Sequence, residues 1–510
     1  MAGRQGLEPR YATPEAAVLP LDDLPTISVY QNQKKQARQQ IIARQAPVSR
    51  RRSSPKAPPV TYDLEPNAKP CHAKNVPFRD QAIAELLVTV LLVAASNSLE
   101  LHAQTGIPPT APTQTSAAKR LQIESFETIW TTIRDKHWDS HPGGLDWDKI
   151  YAEYRPQIER AGSDDQARGI MRAMLARLKQ THFALLAPGL AEDIASDGGD
   201  ATPGFEVRLL KEGVIVTETF PGSKVHAGWE LLTAGRWDIP NLVQKLRADP
   251  TLPPYAREKA IESRITGPLG EKKHYAFLDG GGRQVELDIP LAPPRGQMAS
   301  FGNLPPQHVW FEFRAIDNIG YVRLTEFLDL PRVLPAFGKA MQDCAKCEGI
   351  IIDLRGNPGG IGGMAMGMAG WLTERSDQRL GTMYMRGATL NFVINPRAQA
   401  FTGPVAILVD ETSASTSEIF AGGLQDLHRA RIFGTKTAGA ALPSVITRLP
   451  NGDGFQYAVA NYVSEGGRTL EGNGVTPDVI VELTRDGLLA GHDAVIAAAL
   501  DWIRQQGTKP

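Results

Sequence analysis

Residues 405–426 read V-A-I-L-V-D-E-T-S-A-S-T-S-E-I-F-A-G-G-L-Q-D, from Val405 to Asp426. The opening V-A-I-L-V is a continuous apolar run with the length of a fully buried strand, and residues 418–427 carry apolar side chains at helical spacing. The chain therefore turns from strand into helix at a junction crowded with hydroxyls: Thr412, Ser413, Ser415 and Ser417. A hydroxyl at a helix start lies where free N–H groups and the positive end of the helix dipole favour developing negative charge. A serine nucleophile and its oxyanion need that environment. Serine and threonine are also favoured helix N-caps, but a cap takes one hydroxyl and this segment offers four.

Working outward, residues 319–324 and 349–354 read as buried strands, and 333–345 and 363–372 as helices. Strand and helix alternating in this way predict an α/β domain with a largely parallel central sheet. The strand at 350–354 runs into Arg355-Gly356-Asn357-Pro358-Gly359-Gly360-Ile361-Gly362-Gly363. Glycines after a buried strand let the backbone aim successive N–H groups at one point, which suits an oxyanion or a phosphate. Neither phosphate-binding pattern is met, and lysine is absent where a P-loop needs it.

Asp353-Leu354-Arg355-Gly356-Asn357-Pro358-Gly359-Gly360, followed some fifty residues later by Ser413-Ala414-Ser415-Thr416-Ser417-Glu418, resembles the C-terminal processing (tail-specific) serine proteases, including the tricorn core. The likeness covers about residues 120–485. It implies a ClpP/crotonase-like α/β core, an N-terminal helical bundle and an inserted PDZ-like β domain. It also implies Ser415 as nucleophile, with an oxyanion hole formed by the N–H groups of Gly359 or Gly360 and of Thr416. Many members use a lysine as base at the position of Ala440 here; Lys436 lies four residues too early. A hydroxyl needs a base, and the tricorn-like branch takes a histidine from the N-terminal region. His182, in L-K-Q-T-H, is similar to that segment without its acidic residue. The closing motif E-G-N-G-V-T-P-D then implies Glu471 as the carboxylate that orients the imidazole, with Glu465 in reserve.

The resemblance divides the chain into a disordered leader at 1–119, a helical domain at 120–190 carrying His182, a PDZ-like domain at 200–292, and a protease core at 295–510 ending in a helix. Apolar stripes at helical spacing run through Ile123, Phe126, Ile129 and Ile133, through Trp147, Ile150, Tyr154 and Ile158, and through Ile170, Met171, Met174 and Leu178. Residues 204–291 read as short strands and turns. Gly204, Phe205, Glu206 and Val207 match the family's peptide-binding segment, where a substrate C-terminus adds as a strand. Residues 223–229, however, depart from the A-G-L-x-P-G-D pattern that usually follows P-G-S.

The leader is basic, glutamine-rich and interrupted by proline, a composition that buries too little surface to fold. Within it, the run at 86–95 inside the segment 82–103 has the length of a signal-peptide apolar core but is too short to span a bilayer. Export to the periplasm or exterior is expected, with translation starting near Val76. A net charge of -1 excludes a general attraction to nucleic acid or anionic membrane. Cys344 and Cys347 have half the spacing of a zinc site with no second pair nearby, so a surface pair at a helix end is expected, and no metal or organic cofactor is implied. The expected function is a serine endopeptidase acting on protein or peptide substrates. The alternatives are an inactive peptide-binding protein on the same scaffold and a crotonase-like acyl-CoA enzyme.

Overall fold

The computed structural model describes residues 116–186, 199–249, 252–302, 304 and 306–507. The apolar segment 82–103 and the leader up to residue 115 lie outside the described residues.

Three helices, Ser116–Lys136, Trp147–Arg160 and Asp164–Ala176, start the described chain. Asp146 caps the second through Lys149 N and Ser163 caps the third through Gln166 N. The expected stripes are buried: Phe126, Ile129, Ile133, Ile150, Ile158, Met171 and Met174, each contributing roughly 1.5–3 kcal/mol by leaving water. This core is not closed by the helices alone. Leu442, Leu449, Phe455 and Tyr457, from some 270 residues later, complete it. The short strand Ala184–Leu186 pairs antiparallel with Gly454–Ala458, Leu185 opposite Phe455. Arg168 Nε and Nη2 donate to the two oxygens of the buried Asp453 at 2.9 and 3.0 Å. The loop carrying His182 is thereby tied to the C-terminal half of the chain.

Residues 200–292 form a sheet in the order Phe205–Leu209, Val214–Thr219, Glu230–Ala234, Lys272–Leu278, Gln284–Pro290. It has a core of its own around Phe205, Val216, Leu231, Tyr275 and Phe277. Two helices that the turn-rich reading did not anticipate, Ile239–Ala248 and Pro254–Ile265, pack on it. Proline at the first helical turn and Asp238 as N-cap set their starts.

The central sheet runs Phe311–Ile316, Ile319–Leu324, Gly349–Asp353, Val405–Val409, Arg431–Gly434, Val479–Ile480. The first pair is antiparallel and every later pairing is parallel. Alternation along the strands sends Ile350, Ile352, Val405, Ile407 and Val409 into one core with helices Leu330–Asp343, Gly362–Ala369 and Thr416–Asp426. Ile351, Ala406 and Leu408 face the other way, against Val495, Ala499 and Ile503 of the helix Ala494–Gly507. A sheet buried on both faces explains why these strands read as unbroken apolar runs.

Cys344 and Cys347 are joined by a disulfide at the end of the helix Leu330–Asp343. The expected surface placement needs correction: Cys344 is fully buried. It lies against Gly320, where a Cβ would come within 2.4 Å of its Sγ.

Candidate active site

Val405–Val409 delivers Asp410, whose Oδ1 accepts from Thr412 N, Ser413 N, Thr412 Oγ1 and, across the sheet, Gly356 N. The hydroxyls of the junction then separate. Thr412 is spent on Asp410, Ser413 Oγ donates to Leu354 O at 2.7 Å, and Ser417 Oγ donates to Asn357 O at 3.0 Å. Ser415 Oγ is buried and has no hydrogen-bond partner. Its backbone has φ 51° and ψ -113°, a region sparsely populated by residues with a Cβ, costing on the order of 1–3 kcal/mol. Ser415 thus holds the N-cap position of the helix Thr416–Asp426 without its side chain acting as the cap.

Glu418, one turn into that helix, supports this backbone. Its carboxylate accepts from Ser415 N, Ala440 N, Gly439 N and Thr437 Oγ1, at 2.5–3.0 Å. Burial pushes the carboxyl up to about 7, against these four donors, which favour its ionised form. Sequence reasoning passed over Glu418, although a serine at the N-cap with glutamate three residues on is the capping-box spacing. Ala440, where the lysine-dependent branch would carry its base, is buried, and Lys436 is exposed.

The glycine turn lies against the same helix start. Thr416 Oγ1 donates to Gly360 O at 2.7 Å. Gly359 and Gly360 have φ of 104° and 136°. A Cβ on Gly360 would come within 2.3 Å of Phe327 O, so only glycine fits there. Gly359 N–H is taken by Asn357 Oδ1 at 2.8 Å, and Asn357 Nδ2 in turn donates to Leu324 O. Thr416 N–H, at the first helical position, has no acceptor within its own helix.

His182 is buried, with φ 63°. Its Nδ1 lies 2.6 Å from Thr181 Oγ1, and Thr181 Oγ1 donates to Glu471 Oε2 at 2.9 Å. That bonding places the imidazole proton on Nδ1 and leaves Nε2 unprotonated. Nε2 is buried and without a partner. Glu471 therefore meets His182 through the Thr181 hydroxyl. It also accepts Thr181 N at 2.8 Å and Ala441 N at 3.1 Å. Burial holds the His182 imidazole well below its ordinary value, at about 3, and pushes the Glu471 carboxyl up. The Ala440–Ala441 peptide joins the two groups: its carbonyl accepts Ser415 N at 2.8 Å and its N–H donates to Glu471. Glu465 instead pairs with Arg379 at 2.6 Å, half-buried at the surface.

Gly204–Val207 opens the edge strand of its sheet, with Phe205 in the module's core. Glu206 bonds Arg295 and, on the central sheet, Arg323. Burial opposes ionisation there, but Arg323 and Arg295 hold the carboxyl at about 2. On the same edge, Glu258 Oε1 accepts Leu209 N at 2.8 Å.

Residues 318–481 match the family model of peptidase family S41, and residues 120–176 that of the tricorn protease C1 domain. The carboxyl-terminal-processing protease of Synechocystis is 34% identical over 243 residues, 47% of this chain and 55% of that protein. The corresponding protease of Bartonella bacilliformis is 30% identical over 36% of this chain and 44% of its own length. The chain thus spans about half the length of these two relatives. The chloroplastic C-terminal processing peptidase of Tetradesmus obliquus is 30% identical over 377 residues, 69% of this chain and 76% of that protein. Mature CPAF, a solved structure, superposes with a TM-score of 0.51 at 14% identity over 76% of this chain and 96% of its own, a likeness of fold. With two of its regions matching these models and a relative covered over three quarters of its length, the chain belongs to the carboxyl-terminal-processing serine proteases of peptidase family S41.

Proposed function

We propose that the protein hydrolyses peptide bonds of protein or peptide substrates through an acyl-enzyme on Ser415. His182 Nε2 takes the proton of Ser415 Oγ as that oxygen attacks the carbonyl carbon. The oxyanion is met by Gly360 N–H and Thr416 N–H, Gly359 N–H being engaged by Asn357. The C–N bond then breaks and the protonated imidazole gives its proton to the departing amine. A water, deprotonated by the same Nε2, hydrolyses the ester and frees Ser415. Glu471 acts through Thr181: the carboxylate holds the hydroxyl, and the hydroxyl accepts from Nδ1–H, which fixes the tautomer and steadies the imidazolium.

One observation carries this reading. The two reacting atoms, Ser415 Oγ and His182 Nε2, are both buried and bonded to no other group, and one peptide group links their segments: its carbonyl accepts Ser415 N and its N–H donates to Glu471, which holds Thr181 beside the histidine. A fluorophosphonate probe tests it. Labelling at Ser415 that disappears in Ser415→Ala and in His182→Ala supports the reading, and labelling that persists in His182→Ala refutes it.

The module at 200–292 is read as PDZ-like, taking substrate along the edge strand Phe205–Leu209. That strand's place at the end of the sheet and the flanking helix Pro254–Ile265 support this. A non-cytoplasmic location is supported by the apolar run at 86–95 and by relatives named as chloroplastic. Among the described residues no helix is long and apolar enough to cross a membrane. Peptide mapping of the native protein tests the leader, since recovery of peptides from residues 1–75 would contradict a start near Val76.

A further inference from the structure

His137 plays no part in the chemistry proposed above, yet it is a fully buried imidazole with both ring nitrogens bonded. Nδ1 lies 3.0 Å from Asp139 N and 3.1 Å from Asp139 O, and the amide oxygen of Gln180 facing the other nitrogen places the ring proton on Nε2. That nitrogen lies 2.9 Å from Gln180 Oε1. The ring stacks on Trp138, centroids 3.9 Å apart, and at longer range on Phe183. Burial lowers its pKa, so the imidazole is neutral. Arg386, in the turn between Arg379–Met385 and Ala388–Val393, donates to the backbone carbonyls of His137 at 2.9 Å and Asp139 at 3.2 Å.

Gln180 belongs to the loop that presents His182. On either side of it, Lys179 and His182 both take left-handed backbone, at φ 54° and 63°. Two such residues within four positions need tertiary bonds to hold them. Thr181 is held by Glu471, and Gln180 by His137. The same 137–144 segment also packs on the start of the loop, where a Cβ on Gly143 would come within 3.0 Å of Leu178 O.

We propose that His137 is a positioning residue: gripped by Arg386, it holds the Gln180 side chain and so sets the direction in which His182 Nε2 points. This rests on the serine-peptidase reading, and the test separates the two. The readout is the rate at which a fluorophosphonate labels Ser415, with thermal unfolding recorded in parallel. His137→Phe keeps the stacked ring and removes both nitrogens. Gln180→Leu removes the other partner at a half-buried site and carries the test if His137→Phe fails to fold.

Each single substitution is expected to slow labelling about tenfold, the scale of a small misplacement of a catalytic group. The double variant should be no slower than either single, because both remove the same bond. His137→Gln, whose amide N–H reaches the place of Nε2–H, should recover most of the rate. Labelling within twofold of the parent in either variant, or single effects that multiply in the double, would overturn the brace while leaving the peptidase reading intact. A parent protein that never labels at Ser415 would overturn both.

Discussion

Ser415 stands on backbone held by the deepest layer of the molecule, whereas His182 stands on a loop held mainly by side chains borrowed from distant segments. The serine follows a strand with no exposed residue and precedes a helix packed into the largest core, and its N–H is bonded to Ala440 and Glu418. The histidine follows the bundle's third helix and is held by Glu471 through Thr181 and by His137 through Gln180. Both residues pay in backbone strain. The difference lies in what opposes that strain: sheet and helix on one side, a few polar contacts on the other. Damage on the serine side should therefore cost stability and activity together, and damage to the polar contacts that hold Gln180 and Thr181 mainly activity.

The sharpest way to break that contrast is Glu418→Gln. An amide places its NH2 against two of the four donors, so we expect a loss of about 2–3 kcal/mol in stability and at least ~10²-fold in labelling rate. Denaturation and probe kinetics read the two, and an active variant of normal stability would contradict the account. Thr181→Val comes next. It should lower kcat by about 10²-fold with KM and unfolding temperature nearly unchanged, because only the link from Glu471 to Nδ1 is lost. Thr181→Ser should keep most of the activity; a valine variant as active as the parent would remove the relay from the mechanism.

Arg168→Ala strips the buried Asp453 of its bidentate partner and loosens the bundle from the strands it packs on. A cost of about 3 kcal/mol is expected, with a modest effect on kcat at temperatures where the protein stays folded. The last effect is with pH and is confined to acid. His182 is neutral when folded, its pKa depressed by burial from 6.5 to about 3, so the unfolded chain binds its proton first. Stability from this group is complete above pH 6.5 and is lost as pH falls from 6.5 towards 3. Unfolding curves of His182→Gln should show a shallower acid slope over that window.

The strands around Val405–Val409 and the three bundle helices were legible because their signals are local: unbroken apolar runs for a sheet covered on both faces, and helical spacing for helices covered on one. The helices Ile239–Ala248 and Pro254–Ile265 were missed because turn signals around them dominated the reading. Glu418 was missed because its donors at 437–440 lie some twenty residues away. Thr181 was read only as the neighbour of a histidine. Its hydroxyl, placed between Nδ1 and Glu471, depends on a loop whose two left-handed residues leave no trace in composition.

By its order of residues alone, the chain determined a buried strand, a hydroxyl-rich helix start and a glycine turn, since each follows from the character of neighbouring side chains. Four hydroxyls of equal chemistry competed for one role, and tertiary structure decided among them. Thr412, Ser413 and Ser417 found acceptors on Asp410, Leu354 and Asn357, and Ser415 found none. Two of these acceptors, Leu354 O and Asn357 O, come from about sixty residues away, so which hydroxyl stays free is a property of the folded chain that the chemistry of the junction's own side chains does not decide.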